Sequence, residues 1–174
     1  MSTMEFVKTK LEGVILVKPD VQEDFRGGYI EIYNKERYQK NGIAPEFVQD
    51  DMSFSTKNVL RGIHADMRIA KLVSCAHGRF YCVVVNCDET SKNFGTWDAF
   101  TLSDRNRWQV FLPPKHGVAH LVLSDYTIFH YKQSGYYNPT EQRSYRFDDP
   151  RFKIWWPVKD PLLSRRDEAG HYVD

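Results

Sequence analysis

A chain of 174 residues with 24 Lys+Arg against 23 Asp+Glu, a formal net charge of +1, has no global field for gripping nucleic acid or an anionic membrane surface. Its length suits one domain, taken as 1–174, with a substantial single core. Three cysteines, Cys75, Cys82 and Cys87, fit a reduced compartment better than a disulfide framework, so a cytoplasmic protein is expected.

Met1 to Lys10 has no long apolar core, and no later apolar run approaches a bilayer span, so the protein is expected to be soluble and unprocessed. From Gly13 the chain reads as short apolar runs broken by turn residues: Val14–Val17, Tyr29–Tyr33, Phe47-Val48 and Val59-Leu60. Lys35 to Asn41 is helix-compatible and closed by Asn41-Gly42. Lys71–Cys75 and Phe80–Val85 flank His77-Gly78, which predicts a hairpin at the centre of a sheet. Trp97–Leu102, Trp108–Leu112, Val118–Leu123 and Tyr126–Lys132 follow at regular spacing, the pattern of an antiparallel sandwich or barrel. Beyond Gly135 the chain turns polar and irregular, and is expected to cover the barrel.

Alternation assigns faces. Lys71 shares its side with Val73 and Cys75, Tyr131 with Phe129, and His120 with Val118 and Val122, so each polar group is expected to look inward. Strict alternation separates Arg61 from His64, unless a bulge at Gly62 turns both into one cavity. Arginine, histidine and lysine on adjacent ribbons would bring anion binding and proton transfer to one pocket.

Several chemistries lack their signatures. No G-x-G-x-x-G follows a strand and no G-x-x-x-x-G-K-[ST] occurs, which argues against a dinucleotide or P-loop site and against hydride transfer. No G-x-S-x-G is present and no cysteine has an activating context. His64 is followed by Ala65-Asp66, and the pair His116 and His120 makes two metal ligands at best, so no metal site is expected.

Phe47-Val48-Gln49-Asp50, Val59-Leu60-Arg61-Gly62-Ile63-His64, Lys71-Leu72-Val73, Phe94-Gly95-Thr96-Trp97, Leu102-Ser103, Ala119-His120, Tyr131-Lys132 and Tyr136-Tyr137-Asn138-Pro139 together resemble the dTDP-4-dehydrorhamnose 3,5-epimerase family. Each motif is short, but the set runs in family order from about Gly13 to Asp167. The resemblance implies an all-β, antiparallel double-sheet jelly-roll (cupin-like) barrel with short peripheral helices, working as a homodimer without cofactor or metal. It also implies inversion of carbons flanking the ketone of a nucleotide-linked 4-keto sugar, in surface-polysaccharide synthesis. Such chemistry needs a base, a stabiliser for the enolate oxygen, and an acid on the opposite face.

By that resemblance His64 is the base, Asp167 the carboxylate bonded to it, Lys71 the cation beside the enolate, and Tyr131 the acid. Arg61 and His120 match cavity-lining positions, and Arg26 matches a diphosphate contact, a task suited to the guanidinium fork. Glu31 and Gln49, with Arg26, are expected to serve a neighbouring subunit's site, and Tyr136 to stand at the pocket rim. Without the resemblance, Asp167 reads as a solvated charge and Tyr131 as core.

Gly28 stands where the family usually has an aromatic, Met52 where a histidine is common, Ala65 where an aromatic follows the base, and Leu121 where glycine is usual. These departures favour a GDP-linked 4-keto deoxysugar or heptose over a dTDP-linked one. Whether C3 alone or both C3 and C5 invert stays open, with a catalytically silent sugar-nucleotide-binding barrel and a metal-dependent cupin as the competing readings.

Overall fold

Gly78 marks the point where the chain crosses between two sheets, and that crossing sets the architecture. The computed structural model describes residues 4–171. The first and last three residues of the expected domain 1–174 lie outside this range. In chain order the strands are β1 (Glu5–Lys8), β2 (Ile15–Lys18), β3 (Val21–Asp24), β4 (Gly27–Ile30), β5 (Gln49–Thr56), β6 (Leu60–Asp66), β7 (Lys71–His77) and β8 (Arg79–Asn86). There follow β9 (Trp97–Ser103), β10 (Gln109–Leu112), β11 (His116–Val122), β12 (Tyr126–Gln133) and β13 (Gln142–Ser144). Two short helices, α1 (Lys35–Lys40) and α2 (Arg165–Ala169), lie at the periphery.

One sheet has the order β1-β2-β10-β7-β12-β5 and the other β13-β6-β11-β8-β9, all antiparallel, and β3 and β4 form a separate ribbon. This is the double-sheet jelly-roll barrel of the cupin type. The expected hairpin is corrected here, because β7 pairs with β10 and β12 while β8 pairs with β11 and β9. Gly78 takes φ +79°, and a Cβ there would stand 2.3 Å from the Tyr126 carbonyl oxygen, so the tight passage requires glycine.

The core explains why the central strands are almost wholly apolar. Val73, Cys75, Phe80, Cys82, Val84 and Phe129 pack between the sheets. The alternate residues of β8, Val83 and Val85, face outward under Phe94, Trp97, Phe152 and Trp156. Helix α1, capped by the Asn34 side chain at the Arg37 amide, lays Tyr38 over Leu72 and Phe111 on the outer face of the other sheet. Covering both faces converts alternation into continuous hydrophobic runs. No described helix is long and apolar enough to cross a membrane.

Candidate active site

A bulge in β6 organises the site. Against β11, Val118 stands opposite His64 and His120 opposite Arg61, so Gly62 and Ile63 together oppose Ala119. Gly62 adopts φ +121°, and a Cβ there would lie 2.6 Å from both the Ala119 Cβ and the Val118 carbonyl oxygen. The extra residue resets the alternation, and Arg61 and His64 both line one cavity of about 220 Å³.

The opposite wall comes from the other sheet: Lys71 at the start of β7, Phe129 and Tyr131 on β12, and Ser53 on β5. Val118 and Phe129 join the cavity floor to the apolar core. His120 stacks on Phe129 with ring centroids 4.0 Å apart and planes at 10°. Burial pushes the His120 imidazole down to about 3, with the Arg61 and His64 charges adding to the effect, so this ring is neutral. His120 Nε2 and Ser53 Oγ are buried polar atoms without a hydrogen-bond partner among the described residues. Each can bond a hydroxyl-rich ligand.

The C-terminal segment closes over His64. The Leu60 amide donates to the Leu162 carbonyl at 3.0 Å, and the Leu162 amide to the Asn58 carbonyl at 2.8 Å. Ser164 then caps α2, accepting from the Asp167 amide and donating its hydroxyl to Asp167 Oδ2 at 2.8 Å. This holds Asp167 Oδ1 2.7 Å from His64 Nε2 and 3.3 Å from the Gly62 amide nitrogen. Burial alone would raise the Asp167 carboxyl, but the bonds from His64, Ser164 and Gly62 hold it below the usual carboxylate value. For His64, burial outweighs the opposing pull of Asp167, and the nearby Arg166 and Lys71 charges also act downward, so its imidazole lies below 6.5. An Nε2–H donated to a carboxylate leaves Nδ1 as the basic nitrogen.

Lys71 and Tyr131 occupy the other side. The Lys71 ammonium pairs directly with Asp66 and lies 5.5 Å from the Tyr131 ring centroid. Burial, reinforced by the carboxylates of Asp51 and Asp66, raises the Tyr131 phenol to about 12, so it carries its proton at neutral pH. An imidazole, an ammonium and a protonated phenol thus share one cavity.

The other predicted residues fall elsewhere. Arg26 stands exposed on the β3–β4 ribbon and forks onto Asp24, and Glu31 pairs with Arg37 at 3.0 Å. Gln49 accepts from the Tyr137 amide at 3.0 Å and donates to Asp51 at 2.8 Å. Tyr136 points outward and does not line the cavity, whereas Tyr137 does. Ser53, Gln142 and Arg166, to which the sequence assigns no site role, also line the cavity, as does Tyr137, expected only as part of the Tyr136–Pro139 motif. Ser53 was recoverable from its alternation with Met52 and Phe54, which face solvent. Among the described residues no three His, Cys, Asp or Glu side chains are grouped to hold a metal ion.

Comparison with known proteins gives the family. The family model described as dTDP-4-dehydrorhamnose 3,5-epimerase matches residues 8–174. A dTDP-4-dehydrorhamnose 3,5-epimerase of Methanothermobacter thermautotrophicus is 37% identical over 172 residues, covering 96% of this chain and 93% of that one. A dTDP-4-dehydrorhamnose 3-epimerase of Streptomyces niveus is 33% identical over 162 residues, covering 91% and 78%. Among solved structures, the dTDP-6-deoxy-D-glucose-3,5-epimerase of Legionella pneumophila Philadelphia 1, in complex with dTDP-4-keto-L-rhamnose, superposes with a TM-score of 0.92 at 34% identity, covering 97% and 92%. These relatives are named for dTDP-linked sugars, so the expected preference for GDP is not borne out. The space at Gly28 is a weak guide to the base, because Phe25 and Tyr29 stand exposed on the same ribbon at 98% and 70%. The chain belongs to the dTDP-4-dehydrorhamnose 3,5-epimerase family of isomerases.

Proposed function

We propose that this chain epimerises a 4-keto sugar carried on a nucleoside diphosphate, dTDP first, at one or both carbons beside the ketone. The observation that carries the reading is a single cavity lined by His64, Lys71 and Tyr131, with Asp167 bonded behind the histidine. The ketone acidifies the adjacent C–H. His64 Nδ1 takes that proton, the electron pair moves onto the carbonyl oxygen, and Lys71 bears on the enolate charge in a site poor in water. Tyr131 returns a proton to the carbon from the opposite side, and solvent restores both groups. Arg61 and the neutral His120 hold the diphosphate and sugar hydroxyls.

The same reading makes the working form a homodimer. Arg26 and Glu31 lie away from this cavity, on or beside the exposed ribbon, and serve the cavity of a second copy, as does Gln49, which here bonds the Tyr137 amide. Met52, Phe54 and Tyr126 leave an exposed apolar strip on the outer face of β5 and β12, which suits an interface between copies. The natural setting is synthesis of a surface polysaccharide.

The test is incubation with dTDP-linked and GDP-linked 4-keto-6-deoxy sugars in heavy water, with deuterium followed carbon by carbon by NMR. The expected result is exchange at C3, at C5 or at both on the dTDP sugar, abolished by His64→Asn. No exchange on either sugar, or exchange unaffected by that substitution, would remove the reading.

A further inference from the structure

Lys71 does not stand alone in the cavity wall. Its side chain is 7% exposed and pairs with Asp66, the last residue of β6, whose side chain is 1% exposed. Asp66 Oδ2 also accepts from Gln142 Nε2 at 2.9 Å, and Gln142 Oε1 accepts from Arg166 Nη2 at 2.5 Å. Arg166 is further anchored on Ser144 Oγ by Nε at 2.9 Å and by Nη2 at 2.7 Å. The contacts run from α2, through β13, to the end of β6 and onto the ammonium. Asp66 Oδ1 is buried with no hydrogen-bond partner among the described residues.

A lysine ammonium is a compact charge with three donors on a flexible stem, and nothing in the stem fixes where it stands. A buried lysine left without an opposing charge is strongly disfavoured, so the anion that faces it decides its place. Here that anion holds Lys71 near the Tyr131 ring, and the ammonium's remaining hydrogens are available to the cavity.

We propose that Asp66 is a positioning residue for the reaction: through its pairing with Lys71 it sets where the ammonium meets the ketone oxygen of the substrate, steadied by Gln142 and Arg166. This rests on the epimerase reading. Asp66 bears on the enolate through Lys71, and its carboxylate also adds a smaller share to the raised Tyr131 phenol, so most of its kinetic effect is expected to pass through the lysine. A carboxylate that merely satisfied the fold would affect every function of the cavity alike.

The experiment is a double-mutant cycle with Asp66→Asn and Lys71→Met on the full chain, reading kcat and KM from deuterium exchange into a dTDP-linked 4-keto sugar, with dTDP binding as a check on folding. Asp66→Asn keeps the shape and an acceptor oxygen but removes the charge. It is expected to lower kcat about 10-fold while KM moves less than about 2-fold, and to have less than about a 2-fold effect once Lys71 is methionine. Where Asp66→Asn does not fold, Gln142→Ala replaces it, with an expected loss in kcat of about 3-fold that again shrinks in the Lys71→Met background. Equal losses in both backgrounds, or an effect confined to KM, would overturn the assignment. Absence of exchange in the unmodified protein would overturn the epimerase reading and this assignment together, an outcome distinct from equal losses.

Discussion

His64 and Asp167 stand 103 positions apart in the chain, and their ring nitrogen and carboxylate oxygen meet at 2.7 Å. The same carboxylate oxygen lies 3.3 Å from the Gly62 amide, so one side chain from α2 holds both the histidine and the bulge that presents it. Asp167→Asn keeps the size and an acceptor oxygen but removes the charge that favours the imidazolium. Exchange into substrate is expected to fall roughly 100-fold, with dTDP binding little changed. Steady-state kinetics on the variant check this, and a loss carried by KM alone would contradict the role.

The direction of the His64 shift fixes the shape of the pH profile. Burial lowers this imidazole below 6.5, and its neutral form, the base of the proposed reaction, therefore persists to lower pH than in an ordinary histidine. The acid limb of kcat/KM is expected below pH 6.5, and the alkaline limb is expected toward the raised Tyr131 value of about 12. In Asp167→Asn the upward pull on His64 is removed, so the acid limb should move further down as the rate falls. A limb displaced upward in that variant would show that Asp167 does not stabilise the protonated ring.

What was legible beforehand follows the physics of each segment. The runs that became β7, β8, β10 and β11 are largely apolar on both sides because both faces are covered, and composition alone announces them. β5 carries no apolar run that would announce a strand, because its pattern is inverted: Asp51, Ser53 and Ser55 turn toward the cavity side while Met52 and Phe54 face outward. Arg61, His64, Lys71, His120 and Tyr131 sit on strands, where alternation plus one bulge predicts their direction. Asp66 read as nothing more than the residue after Ala65, since its partner Lys71 lies across a chain reversal. Gln142 and Arg166 belong to a three-residue strand and a five-residue helix, too short to leave a periodic signal.

Gly62 is the position where the backbone, rather than a side chain, carries the site. A methyl group added there meets Ala119 and the Val118 carbonyl at 2.6 Å, in a conformation with φ +121° that L residues avoid. Gly62→Ala is expected to cost about 2–4 kcal/mol of stability. It should also depress exchange by more than stability alone explains, because Arg61 and His64 lose their shared orientation. Thermal unfolding and exchange on the folded fraction measure the two effects separately. A variant with unchanged stability would mean that the bulge tolerates a side chain.

If Arg26 serves the cavity of a second copy, two damaged chains can repair each other. In Arg26→Ala the catalytic groups are intact but the ribbon contact is lost, and in His64→Asn the reverse holds. A mixed dimer contains one cavity with both defects and one with neither. Random pairing makes half of the dimers mixed, so coexpression is expected to restore about a quarter of the unmodified rate, while each variant alone remains slow. Arg26 acting on its own chain's cavity predicts the opposite, because every His64 would then remain coupled to the damaged ribbon of its own chain. Coexpressed chains carrying different affinity tags, purified through both in sequence, isolate the mixed species, whose rate should approach half that of the unmodified dimer.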